Sequence, residues 1–125
     1  MANKALRTHP EQTVNAVEVV QRQLEAYNAR DLARFVACYS ETILGFRMPS
    51  AEPAIRGRAA LAEFYATQRF NLAGLRADIV NRIVLGNKVI DHERIWGVRE
   101  GPFEVAVVYE VIGELIERVW TIPPE

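Results

Sequence analysis

The chain predicts an α+β fold in which three helices precede a curved antiparallel sheet. Two observations carry this. Up to Phe70 the apolar residues recur at steps of three and four, and from Leu75 onward they alternate with polar residues at steps of two. Helices segregated from a run of strands pack on one face of the sheet. A strongly bent sheet beneath three helices closes into a cone, and the mouth of a cone is a natural place for a ligand.

The helices come first. Thr8 and Glu11 have capping-box spacing around Pro10, which suits a first helical turn. Val17, Val20, Leu24 and Tyr27 then form one apolar stripe. "NARD" interrupts it, and Asp31 is placed to cap a short second helix with Leu32, Phe35, Val36 and Tyr39 on one face. "TILGFRM" (Thr42 to Met48) reads as a strand, and the Pro-rich "PSAEPAIRG" as a loop ending at Gly57. A third helix follows, with Leu61, Phe64, Tyr65 and Gln68 on one side.

The strands come next. "LRADIVNRIVL" alternates, and Gly86-Asn87 is a two-residue hairpin signal leading into "KVIDHERIWG". "REGP" turns the chain into "FEVAVVYEVI", and Gly113-Glu114 turns it into "LIERVWTI". Pro123-Pro124 ends the pattern.

Bulk properties bound the function. The 125 residues make one domain, 1–125, with residues 1–9 expected to be a flexible N-terminus. Net charge is −1 and the basic residues are scattered, which argues against nucleic acid as a partner. No apolar run approaches the ~20 residues that span a bilayer, so no membrane partner is expected. The opening "MANKALRTHPEQ" lacks the apolar core of a secretory signal, and a cytoplasmic location is expected. Cys38 is the only cysteine, and His9 and His92 are far apart. A cysteine-based metal site and the paired-histidine zinc motifs are therefore absent, and neither metal nor cofactor is expected.

Four stretches carry a resemblance: "VVQRQLEAYNARDLARFV", "IRGRAALAEFY", "NRIVLGNKVIDHERIWG" and "YEVIGELIERVW". Together with the element order they resemble the nuclear transport factor 2-like (cystatin-like) superfamily, and most of all its bacterial SnoaL-like and steroid Δ-isomerase-like proteins. The resemblance spans almost the whole chain. It implies a cone-shaped sheet, a pocket for a small hydrophobic molecule, and a homodimer through the outer sheet face. Fold membership alone transfers no activity.

Two catalytic patterns of that superfamily can be checked residue by residue. In ketosteroid isomerases a tyrosine, an aspartate base and a protonated aspartic acid do the work. The resemblance puts Gln23, the neighbourhood of Arg47, and Val107 at those places, so that mechanism is not implied. Limonene epoxide hydrolases use an Arg-x-Asp pair and a second aspartate. Here the resemblance keeps Arg94 but puts Trp96 and Trp120 where the two acids belong.

Alternation sorts "VIDHERIWGV" into two faces: Ile90, His92, Arg94 and Trp96 on one, Val89, Asp91, Glu93 and Ile95 on the other. The resemblance to the epoxide hydrolases points the Arg94 face into the cone. On that reading His92 moves a proton, Arg94 steadies an oxyanion, and Asp91 and Glu93 form a solvated or subunit-facing surface. The expected wall is Trp96, Val107, Tyr109 and Trp120, with Arg118 beside Trp120 and with Tyr27, Phe46, Met48 and Tyr65 covering it. Each candidate has a second reading. His92 could bond a backbone carbonyl, the arginines could pair with strand-end acids, and the aromatic residues could be plain core. A one-residue bulge reverses every side chain beyond it, so each strand's inner and outer sets can exchange.

Three functions stay open on the sequence. One is an enzyme moving a proton on a small hydrophobic ketone- or polyketide-like compound, in the manner of an isomerase, cyclase or lyase. The others are a non-catalytic ligand-binding module and a homodimeric interaction domain.

Overall fold

The heptad-like stripe of the first segment becomes helix α1 (His9–Ala29), and a computed structural model describes the chain over residues 9–124, with side chains from Ala16 onward. The capping box at Thr8 and the N-terminal residues up to 8 lie outside the described residues. Helix α1 ends with Arg30 in the left-handed conformation, and the Asp31 amide reaches back to the Ala26 carbonyl at 2.9 Å. Asp31 then caps α2 (Leu32–Val36), its carboxylate accepting from the Arg34 amide at 3.1 Å. Strand β1 (Tyr39–Arg47) and helix α3 (Arg58–Gln68) flank a two-residue strand β2 (Ile55–Arg56), which the sequence presents as loop. Four long strands complete the chain: β3 (Arg76–Leu85), β4 (Lys88–Trp96), β5 (Phe103–Ile112) and β6 (Leu115–Ile122).

The six strands form one sheet in the order β2-β1-β6-β5-β4-β3. All pairings are antiparallel except β1 with β6, so the sheet is mixed at the seam where the early strand meets the late meander. The α+β cone architecture is the one expected. Helix α1 supplies Val19, Val20, Gln23 and Leu24 to the inner face, and Val89, Val107, Tyr109 and Val111 meet them from the strands.

Of three register shifts in the sheet, one lies between Tyr39 and Leu44 of β1, and the other two decide which side chains of β3 and β6 face in. Between Ile79 and Asn81 the β3–β4 register shifts, leaving Val80 as an extra, exposed residue. Before this bulge the odd-numbered residues of β3 face inward; after it the even-numbered ones do, so Arg82 turns in. A second shift follows the Val111–Ile116 pair, after which Arg118 stands opposite Glu110. Ile116 is fully buried, yet Arg118, Trp120 and Ile122 belong to the outer face, and Val119 and Thr121 to the inner one. At the end of β4, Gly97 (φ +86°) lies so close to Gly74 that a Cβ would stand 2.3 Å from its carbonyl carbon. Only glycine allows that approach, and it ties β4 to the loop before β3.

Candidate functional site

The inner face of the sheet is built from cross-strand rungs. One runs Arg82–Asp91–Val107–Thr121–Arg47, from β3 across to β1. The next toward the base runs Val84–Val89–Tyr109–Val119–Gly45. On the other side of the first, Ile79, Glu93 and Val105 stand abreast. Helices α1 and α3 close over these rungs and leave a cavity of about 310 Å³. That is the volume of roughly ten waters, room for a small organic molecule.

This arrangement reverses the expected reading of β4. Asp91 and Glu93 point inward, where they are 0 % and 6 % exposed. His92 and Arg94 point outward and share Glu104: His92 Nε2 lies 2.6 Å from one carboxylate oxygen, and Arg94 donates to the other at 2.9 Å. These two hydrogen bonds hold the Glu104 carboxyl below the ordinary carboxylate range. Trp96 is also outside, with its indole N–H on Asp78 at 2.9 Å. The physical reason is register. Asp91 pairs with Val107 and Glu93 with Val105, and the Val105–Val107–Tyr109 set is the one that α1 covers.

The same correction applies to β6, where the bulge puts Arg118 and Trp120 outside. Arg118 bonds Glu110 at 3.1 Å, and Trp120 stacks on Phe46 with ring centroids 5.7 Å apart. Met48 lies past the end of β1, 42 % exposed and not on the cavity. Tyr27, Phe46, Tyr65, Val107 and Tyr109 do line it, Phe46 at its edge. The positions set against the ketosteroid isomerase pattern, Gln23, Arg47 and Val107, line it as well. The set compared with the epoxide hydrolase pattern, Arg94, Trp96 and Trp120, faces away from it.

Among the described residues Glu93 is the one acidic side chain on the cavity wall. Tyr109 donates its hydroxyl to Glu93 Oε2 at 3.2 Å, Gln23 Nε2 donates to the Tyr109 oxygen at 3.2 Å, and Tyr39 donates to Gln23 Oε1 at 3.1 Å. The chain of donors therefore runs toward the carboxylate and ends there. Burial pushes the Glu93 carboxyl up to about 7, the neighbouring Asp91 charge adds to the rise, and the Tyr109 hydrogen bond and Arg82 offset part of it. Asp91 is clamped by Arg82 through two hydrogen bonds of 2.7 and 3.0 Å, and Arg82 also donates to Gln21 at 3.0 Å. Asp91 thus sits in a clamp behind the wall, while Glu93 faces the open space.

Opposite Glu93 stands an aromatic cluster centred on Phe35, whose ring lies 4.6 Å from Tyr65 and 6.1 Å from Tyr27. Neither the Tyr27 nor the Tyr65 hydroxyl has a hydrogen-bond partner among the described residues, although both residues line the cavity. Burial raises both phenols, Tyr65 up to about 12 and Tyr27 further, so both remain protonated donors at neutral pH. Sequence reasoning missed Glu93, Gln23 and Tyr39 as members of one network. Their signal is only three-dimensional, since α1, β1, β4 and β5 each contribute one residue.

Comparison with known proteins agrees with this architecture. The family model described as the SnoaL-like domain matches residues 20–119. A structure of an NTF2-like protein of unknown function from Mesorhizobium loti superposes with a TM-score of 0.78 at 16 % identity, covering 91 % of this chain and 94 % of its own. An uncharacterised cystatin-fold protein from Novosphingobium aromaticivorans gives 0.71 at 21 % identity, covering 86 % and 97 %. An LEH-like epoxide hydrolase of M. tuberculosis gives 0.73 at 18 % identity, covering 88 % and 83 %. At these identities the likeness shows the fold alone. No curated protein matches the sequence.

Proposed function

The chain belongs to the SnoaL-like domain family, and from that premise we propose that it is a proton-transfer enzyme acting on a small hydrophobic ketone- or polyketide-like compound. The observation that carries the reading is Glu93: a buried carboxyl in an otherwise largely apolar cavity, with a pKa raised to about 7. A base is most useful when its pKa lies near the working pH, because both protonation states are then populated. Ionised Glu93 would take a proton from the carbon beside a carbonyl and return it at another position, as an isomerase, cyclase or lyase requires. The Tyr27 and Tyr65 hydroxyls are the free donors on the opposite wall, suited to an oxygen that gains charge as the proton leaves. The role expected of His92 and Arg94 passes to Glu93 and these two phenols. One of the fold's neighbours being an epoxide hydrolase fits a cavity able to host chemistry on small molecules.

The test is solvent deuterium exchange into 2-tetralone and related cyclic ketones, followed by NMR. Glu93→Gln keeps the shape and removes the base, and it is expected to slow exchange by about 100-fold or more. Exchange at the wild-type rate in Glu93→Gln would overturn the assignment, and would favour a pocket that binds without chemistry.

We further propose that the enzyme works as a homodimer joined through its outer sheet face. Its support is an apolar row on that face, Ile83–Ile90–Val108–Trp120, running across four strands, exposed at Ile83 and half-buried at the other three. Ion pairs lie on both sides of it, Lys88 and Arg118 with Glu110 on one, Arg94 with Glu104 on the other. No described helix packs over this face, and a second copy would bury the row against itself.

A further inference from the structure

We propose that the ligand of this cavity is an apolar acid: a hydrophobic body that enters first, with a carboxylate or similar anion held at the mouth by Arg47 and Arg69. The inference rests on the reading of the cavity as a substrate site and adds the substrate's charge and orientation. Arg47 is both exposed and on the cavity wall, which places it at the opening, at the end of β1. Arg69 follows α3, lines the same cavity, and stacks over Phe64 with its guanidinium carbon 5.0 Å from the ring centroid. It is half-buried, so it borders the cavity as well as solvent.

Neither arginine has a carboxylate partner among the described residues, whereas Arg82, Arg94 and Arg118 each do. Arg69 spends one donor on the Gln68 carbonyl and keeps the rest of its fork. The cavity thus carries two guanidinium groups without a carboxylate partner, Arg47 exposed and Arg69 half-buried, and one carboxylate, Glu93, that is 6 % exposed. Glu93 repels an anion that would bury itself, and the two guanidinium groups attract one that stays outside. Arg47 and Glu93 lie on strands three steps apart in the sheet, about 14 Å along the surface, which limits the length of a ligand bridging them. An anion anchored at the mouth would hold the same carbon against Glu93 in every turnover.

Calorimetric titration at about pH 8 tests this with matched pairs: naphthalene-2-carboxylate and its carboxamide, 4-phenylbutanoate and its amide. The acid of at least one pair is expected to bind about tenfold more tightly than its amide. The double variant Arg47→Gln/Arg69→Gln should erase that preference by weakening the acid about tenfold more than the amide, and an unchanged circular dichroism spectrum and melting temperature show that the fold is intact. Glu93→Gln should keep the preference. If no acid in the panel outbinds its amide, or if the double variant retains the preference, the proposal is wrong. Loss of ketone exchange in Glu93→Gln with the acid preference intact supports both readings. A missing preference beside intact, Glu93-dependent exchange defeats only this one, and a preference without any exchange defeats only the proton transfer.

Discussion

At the scale of single residues, the structure turns on a carboxyl that is worse off folded than unfolded when charged. Glu93 titrates near 4.5 in the open chain and up to about 7 in the cavity, so the folded state holds its proton more tightly. A folded pKa above the unfolded one means that stability is lost as pH rises between those two values. The difference amounts to about 3 kcal/mol, complete above pH 7. Glu93→Gln removes this slope. Thermal or urea unfolding is expected to show the variant more stable than wild type at about pH 8, and the gain fading toward about pH 5. An equal gain at both values would mean that Glu93 is not the group that titrates. Such a cost is what a site pays in stability when a side chain is placed for chemistry.

At the scale of elements, the outcome on β4 was set by register rather than by composition. From Val89 to Trp96 its two faces each carry two apolar and two ionisable residues, so alternation alone cannot say which is buried. The Gly86-Asn87 hairpin does fix one relation: with Leu85 opposite Lys88, Arg82 falls opposite Asp91. The link from β4 to β5 is the irregular stretch between Trp96 and Phe103, which fixes no register, and the inward direction of Asp91 and Glu93 hangs on it. The three helices, the long strands and the Asp31 cap were all legible because they are local. The parallel β1–β6 pairing, the two bulges and the two-residue β2 were not, being decided by contacts distant in sequence. Asp91→Ala tests the element-level role of the clamp. It leaves the Arg82 guanidinium without its buried partner and is expected to cost about 3 kcal/mol in chemical denaturation. A change below about 0.5 kcal/mol would mean that Arg82 swings out to water without loss.

At the scale of the whole molecule, the two faces of the sheet differ: the inner one encloses a cavity, and the outer one carries a half-buried apolar row. Val108 stands in the middle of that row, between Ile90 and Trp120. Val108→Glu would set a charge in the centre of the proposed dimer interface, and sedimentation is expected to show a shift from dimer to monomer with the secondary structure retained. A wild-type protein that sediments as a monomer would remove the dimer from consideration. The faces are joined by Val80. Because that one extra residue precedes Arg82, Ile83 and Leu85, it both turns the arginine inward to Asp91 and turns the two apolar side chains outward. For a gene encoding this chain, an in-frame loss of one codon there would undo an internal ion pair and the outer apolar row in a single event. Descent should therefore preserve the length of β3 more strictly than the identity of the residue at the bulge, whose own side chain lies 44 % exposed.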